Sequence, residues 1–548
     1  MEILIQQLIK IRVKNRDDLA SLKRKLAKKN KSSCPSNVEL LKVYHKLVKN
    51  KRIPRSEKLE NLLRTRPIRS LSGIVNISAL TKPYPCPGRC LYCPIEKGIP
   101  KSYVSGEPAV ERAKALNYDP YLQTKKRIEM LKNQGHPTDK IELRIVGGTW
   151  SYYPKNYQTW FIKKCFDAAN DRFSKNLKMA QKLNERAKNR IIGLSVETRP
   201  DFINIPEIKR LRNLGVTMVE LGVQSIYDNV LKLNLRGHKV ESTILATKLL
   251  KDAGFKVLYQ MMPNLLGSNP RKDKQMFKEL FLNPGFQPDL LKIYPCALLK
   301  EASLYNLWKK RKYRPYSRKT LINLIKEIKK EIPFYVRIQR IARDISSKKI
   351  VAGPAKISNM RQIIAEEIKK ENWQCKCIRC REVRENYPPS SSRFSGTGLR
   401  KDKLIQKLKL FREDYDASGG KEIFLTYEDK NRERLYGLLR LRIPSFVLPL
   451  RRDGTSEGKP SQKHFLPTLR NSAIIREVHI YGQLVPISEK RIAPQHRGLG
   501  KKLIKEAEKI IKKGFNLDKI FVISGVGARN YYRKLGYKLK DNYMAKDV

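Results

Sequence analysis

From about residue 76 to 345 the chain alternates short apolar runs with amphipathic stretches, and this alternation limits the possible fold more than any other feature. The runs are IVNISAL ending at Leu80, IELRIVG (141–147), IIGLSVE (191–197), TMVELGV (217–223), VLYQMM (257–262) and LLKIYP (290–295). Between them lie helical patterns such as WFIKKCFDAAN and STILATKLLKDAG. Near-continuous apolar strands joined by helical crossovers build a parallel sheet buried on both faces. Six such units predict a partial (β/α)6 barrel, smaller than the eight-unit kind, with its chemistry at the carboxyl ends of the strands. The chain as a whole, 548 residues long, is too large for one core and is expected to be a multidomain α/β protein.

The first strand runs into TKPYPCPGRCLYCP, where Cys86, Cys90 and Cys93 stand as C-x3-C-x2-C. A [4Fe–4S] cube normally takes four thiolates. Three close cysteines leave one iron open to chelate a small molecule and deliver an electron to it. The spacing resembles the signature of the radical S-adenosylmethionine (SAM) enzymes; a structural zinc knuckle is the alternative. Other polar groups fall at strand ends: Gly147, Gly148 and Thr149 after IELRIV, Glu197 with Thr198 and Arg199, Gln224, and Lys292 with Tyr294. Glycines there let backbone approach a ligand closely, and together these residues outline one mouth.

Three other segments flank the barrel. Residues 1–75 read as basic helices, with 20 Lys and Arg against 6 Asp and Glu. The whole chain carries a formal net charge of +64, a field that attracts polyanions, nucleic acid first among them. Residues 346–390 hold Cys375, Cys377 and Cys380 in C-x-C-x2-C, a spacing that suits structural zinc or a second iron–sulfur centre. A fourth ligand from Cys296 or a histidine such as His479 is left open. NYPPSSSRFSGTG (386–398) reads as a linker. Residues 391–548 read as a compact α+β domain that opens with a hairpin, EIFLTYED and LYGLLRLRIP. Its QHRGLGKK run, Gln495 to Lys502, follows a strand and opens a helix. Backbone amides at such a terminus bind phosphate, and the run resembles the pyrophosphate loop of GCN5-related (GNAT) acetyltransferases, which hold acetyl-CoA. Nine cysteines, six of them in two tight clusters, suit metal binding in a reducing cytoplasm better than disulfides. No apolar stretch is long enough to predict a membrane span.

Taken together, NYDPYLQ, DKIELRIVGGT, ETRPD, NLGVTMVELGVQSIYD, RGHKVE, LKIYP, VRIQRIARDI, CKCIRCRE, REVHIYG, QHRGLG and SGVGARNYYRKLGY resemble the catalytic subunit family of Elongator in its archaeal or bacterial single-protein form. The resemblance implies a tRNA-modifying enzyme that forms 5-carboxymethyluridine at the wobble position. Acetyl-CoA would supply the carbons and a SAM-derived deoxyadenosyl radical would abstract the methyl hydrogen. The resemblance puts the cluster on Cys86, Cys90 and Cys93. It assigns acetyl-CoA to Lys140, to the strand Glu477, Val478, His479 and Ile480, to Gln495 and Arg497 with Gly498, and to Leu499, Gly500, Lys501 and Lys502. Tyr532 is implied at the thioester. The implied partners are tRNA, an electron donor for the cluster, and either a second copy or Elongator-like subunits. The alternative function is a lysine acetyltransferase acting on proteins. The chain departs from the family pattern in its shorter first cysteine spacing, in Pro-Ile-Glu after Cys93, and in Gln260 where a histidine is usual.

Overall fold

The computed structural model describes residues 2–10, 13, 15–29, 31–357, 359–384, 408–447, 466–482 and 498–548. Its first body is a helical cap. Helices Glu2–Lys10, Arg16–Lys29, Asn37–Lys49 and Glu57–Leu63 bury Ile5, Leu8, Leu40, Leu41, Tyr44 and Leu63 in a core of their own. The third helix starts where it does because Ser36 and Glu39 form a reciprocal capping box. Arg64 fastens the cap to the next body by donating to the Gly135 carbonyl at 2.8 Å.

That body is a seven-stranded parallel sheet in sequential order: β1 (Val75–Leu80), β2 (Lys140–Val146), β3 (Arg190–Thr198), β4 (Met218–Gln224), β5 (Lys256–Met261), β6 (Leu290–Ile293) and β7 (Arg337–Ile341). All six strands expected from the alternation are present. The seventh was not anticipated, because RIQRI carries charge at half-buried positions and does not read as an apolar run. The crossover helices start on caps that the sequence supplies. Asp119, Asn204, Asn269 and Ser317 each accept a backbone N–H in the first turn of the helix that follows. Among the described residues, no helix is long and apolar enough to cross a membrane.

A second seven-stranded sheet follows, ordered β13-β14-β12-β11-β10-β9-β8. Its strands are β8 (Lys409–Ala417), β9 (Gly420–Glu428), β10 (Leu435–Ile443), β11 (Ala473–Ile480), β12 (Lys519–Val522), β13 (Lys538–Lys540) and β14 (Tyr543–Asp547). The expected hairpin is β9–β10. β11 and β12 pair in parallel only over Ala473–Ile475 and Ile520–Val522. Beyond that point β11 continues without its neighbour, so the sheet splays. Helix Leu499–Phe515 packs on this sheet through Leu503, Ile504, Ala507 and Ile511.

Buried ion pairs clamp the second sheet against the amino-terminal ends of the barrel strands. Arg476 on β11 reaches Asp289, just ahead of β6, at 3.0 Å and Glu422 on β9 at 2.8 Å, and it also donates to the Phe255 carbonyl. Arg442 on β10 pairs with Asp252 at 2.6 Å and with Glu422 at 3.0 Å. Glu477 takes Lys256 at 3.1 Å and Arg440 at 2.9 Å. The bodies also meet backbone to backbone: a Cβ on Gly525 would lie 2.0 Å from the Ile192 carbonyl oxygen.

Removing one member of such a network strands its partners' charges. Arg476→Ala should therefore cost about 3–5 kcal/mol, read by chemical denaturation. Burial alone would raise the Glu477 carboxyl, but Lys256 and Arg440 hold it down at about 2, against an ordinary 4.5. Its contribution to docking is complete above the ordinary value and is lost as pH falls toward 2. Glu477→Gln should flatten the acid limb of a pH–stability profile in that window.

Candidate functional site

The carboxyl mouth of the barrel is built around the loop that leaves β1. Cys90 is buried, while Cys86 and Cys93 are half-buried. The turn is held by the Cys93 amide donating to the Cys90 carbonyl at 3.1 Å. Burial and the neighbouring Cys90 push the Cys93 thiol up to about 12, so this thiolate needs a bound cation to be stable. The three sulfurs do not converge within 4.8 Å of one another, whereas those of Cys375, Cys377 and Cys380 do. A single ion draws its ligand atoms together, while a cube gives each thiolate a different iron and needs them farther apart. Three thiols in one loop are a donor set of the kind that holds a [4Fe–4S] cluster.

Beside the cysteines, β2 is followed by Gly147 and Gly148 with φ of +132° and +109°. A Cβ on Gly147 would sit 2.0 Å from Thr81 Oγ1, so no other residue fits this turn. The Thr149 hydroxyl lies 3.8 Å from Cys86 Sγ. Deeper in, Glu197 accepts from Tyr103 at 2.8 Å and from Gln260 at 3.1 Å, and it pairs with Lys292 at 3.3 Å. Lys292 also pairs with buried Glu220. Burial would lower Lys292, but Glu220, Tyr294 and Glu197 hold it above its ordinary value. A small recess opens over this layer, lined by Cys93, Gln224, Gln260, Tyr294 and Arg343 among others. Gln224 reaches it from a left-handed turn, φ +69°. Sequence reasoning missed Tyr103, Glu220 and Arg343 as site residues. Arg343 follows the unanticipated β7, and Tyr103 sits in a loop without periodicity.

The opposite mouth carries a second, larger cleft between the sheets. Lys140, Val478, His479, Ile480, Gly498, Gly500, Lys501 and Tyr532 all line it. Glu477 faces an adjoining recess with Lys256, Glu142 and Tyr532. Leu499 is buried beneath the helix start, and the exposed Lys502 is not part of the lining. Gln495 and Arg497 lie outside the described residues. Gly498 takes φ +77°, and a Cβ on Gly500 would sit 2.8 Å from the Tyr531 hydroxyl. These glycines leave an open cradle at a helix N-terminus, which fits a pyrophosphate. Burial lowers the Lys140 ammonium and holds His479 below its ordinary value. His479 bonds to the Ser72 carbonyl at 2.9 Å and stacks on Tyr481.

Neither suggested fourth ligand joins Cys375, Cys377 and Cys380. Cys296 packs with Cys90, Tyr92 and Tyr313 at the other mouth, and His479 belongs to the cleft just described. Lys329 instead approaches Cys380 Sγ at 3.5 Å.

A parallel half-barrel with three cysteines in the loop after its first strand defines a radical SAM protein. Residues 84–280 match the Radical SAM superfamily model, and 288–370 match the Radical_SAM C-terminal domain. The chain is 44% identical over 522 residues to the tRNA uridine(34) acetyltransferase of Methanocaldococcus infernus, covering 94% of this chain and 92% of that one. It is 36% identical over 560 residues to human Elongator complex protein 3, covering 99% and 95%. The solved structure of M. infernus Elp3 lacking residues 1–46 superposes with a TM-score of 0.71 at 42% identity, covering 87% of this chain and all of that one. The chain belongs to the family of tRNA uridine(34) acetyltransferases and Elongator complex protein 3.

Replacing Cys86, Cys90 and Cys93 together with Ala should abolish iron and sulfide incorporation during anaerobic reconstitution. The far-ultraviolet circular dichroism of the unreconstituted protein should stay near wild type, since none of the three lies in a strand of the sheet.

Proposed function

We propose that this chain is a tRNA-modifying enzyme that forms 5-carboxymethyluridine at the wobble position, drawing the two carbons from acetyl-CoA. The observation that carries the reading is the pair of sites on one barrel, a three-cysteine mouth at the carboxyl ends of the strands and a glycine-cradled cleft at the amino ends. The cluster with SAM supplies one-electron chemistry able to break a strong C–H bond. The protein's own residues bind, orient and exclude water.

At the cleft, Gly498, Gly500 and Lys501 would hold the CoA pyrophosphate. β11 at Val478–Ile480, beyond its pairing with β12, would run along the pantetheine, and Tyr532 would stand at the thioester. Lys140, lowered by burial, would meet the ligand from the barrel side. At the other mouth, Gly147, Gly148 and Thr149 would receive SAM next to Cys86, with Glu197 and Gln224 as polar contacts. Lys292, kept charged between two carboxylates, would hold Glu197 in place and stand beside Tyr294 at the substrate. Strands of six or seven residues separate the mouths by roughly 20 Å. A column of polar side chains spans that distance: Glu142 with Arg144, Glu220 with Lys292, then Glu197. The positive field of the chain and its helical cap would bind the tRNA, with affinity falling steeply in salt.

We further assign a structural zinc to Cys375, Cys377 and Cys380. Arg381 in this segment donates to the Phe334 carbonyl on the barrel side and pairs with Glu428 on β9 at 2.5 Å. Zinc here would stiffen the joint between the two sheets.

With SAM, acetyl-CoA, a reductant and tRNA, mass analysis of nucleosides should find carboxymethyluridine. Lys140→Ala and Tyr532→Phe should lower its yield at least tenfold without weakening tRNA binding. Acetylation of protein lysines without tRNA, and no modified uridine, would overturn the reading in favour of a protein acetyltransferase. In a separate measurement, Ala at all three of Cys375, Cys377 and Cys380 should remove zinc, leave reconstituted iron in place, and lower the thermal midpoint. A zinc-free wild type of unchanged stability would contradict the zinc assignment.

A further inference from the structure

Two buried arginines stand behind the cysteine loop, and neither belongs to the binding roles assigned so far. Arg236 and Arg199 are each only 5% exposed. Arg236 follows helix Asp228–Leu233, and its amide closes that helix on the Leu231 carbonyl. Its Nη1 lies 3.6 Å from Cys90 Sγ, and its Nη2 donates to the Gly222 carbonyl at 2.5 Å. A Cβ on Gly222 would come within 2.9 Å of that Nη2, so a glycine in the middle of β4 is what lets the guanidinium reach the loop. Arg199 is anchored on its far side, where Nε and Nη2 take Asp201 at 2.9 and 2.8 Å. Its Nη1 is buried with no hydrogen-bond partner. It sits against Gly88, the residue midway between Cys86 and Cys90, where a Cβ would be 2.5 Å away. Arg236 Nε is likewise buried and unpartnered.

Leaving a charged donor buried and unpaired is costly. The unpartnered Arg199 Nη1 against Gly88 and the Arg236 Nη1 on Cys90 Sγ together call for an anion in that loop. Three thiolates around an iron–sulfur core supply one, and one-electron reduction makes it more negative without forming or breaking a bond. Donors to the sulfur atoms and nearby cations favour the reduced form, and these are the levers by which a protein sets cluster potential.

We propose that Arg199 and Arg236 form a paired guanidinium seat that raises the reduction potential of the cluster and brings the electron-accepting step within reach of a cellular donor. They are positioning residues, acting through Cys90 and the Gly88 turn. The inference rests on the cluster assignment above, which the iron content of the wild type tests separately.

The experiment is a potentiometric measurement on the reconstituted full-length protein without SAM. Dithionite is the reductant, and the electron paramagnetic resonance signal of the reduced cluster is the readout. Arg236→Met keeps the length and apolar stem but removes the charge and the donors. It should shift the reduction equilibrium at least tenfold toward the oxidised form, about 59 mV lower for one electron. Arg236→Lys, which keeps the charge but not the forked reach, should fall between Met and wild type. Arg199→Met touches no ligand sulfur and should lower the midpoint as well. If Arg236→Met does not retain iron, the Arg199→Met midpoint alone decides. Iron-replete variants with a wild-type midpoint would overturn the proposal.

Discussion

The structure depends on a charge clamp. Arg476 lies between Asp289 and Glu422, and Arg442 lies between Asp252 and Glu422, all buried. Buried ion pairs add little stability relative to well-packed apolar groups, but they tolerate no mismatch, because a shifted partner leaves an uncompensated charge. Two sheets pressed together only by apolar contact could slide, whereas these arginines admit one register. That register sets the split between β11 and β12 over the amino-terminal mouth of the barrel, and it brings Lys140 on β2 into the same cleft as His479 and Tyr532. The cleft is therefore made by two domains, and neither sheet contains it alone.

The two glycine-lined sites follow one principle at opposite ends of the barrel. At the carboxyl mouth, Gly147 and Gly148 adopt conformations that side chains rarely take, and they open space beside Cys86. At the amino mouth, Gly498 takes such a conformation ahead of a helix, and Gly500 in the first turn leaves room where a Cβ would meet the Tyr531 hydroxyl. Between them the lumen is polar. Glu142, Arg144, Glu220 and Lys292 neutralise one another in pairs. Such a lumen stays ordered without apolar packing and leaves polar groups available along the path from one mouth to the other.

Much of this was legible in the chain, for identifiable reasons. Strands buried on both faces announce themselves as apolar runs, so β1 to β6 could be read directly, and motifs tied to glycine or cysteine spacing marked both mouths. β7 and β8 mix charged with apolar residues without a clean period and lie largely at half-buried or exposed positions, so neither reads as an apolar run. Tyr103 and Arg343 meet Glu197 and Glu107 only through tertiary contacts, which no local pattern encodes. The arginine seat was hidden for the same reason, since Arg236 and Cys90 are 146 residues apart. The suggested fourth ligands failed because residue type alone says nothing of location: Cys296 sits near Cys90 and His479 lines the cleft.

The central claim is that the two mouths serve one reaction. The most direct measurement uses acetyl-CoA deuterated in the methyl group, with SAM, reductant and tRNA, and follows deuterium into 5′-deoxyadenosine. The account predicts deuterium transfer that requires tRNA and accompanies carboxymethyluridine, and that is lost in a Cys86, Cys90 and Cys93 triple Ala variant. Formation of modified uridine with 5′-deoxyadenosine carrying no deuterium from the acetyl group would contradict it.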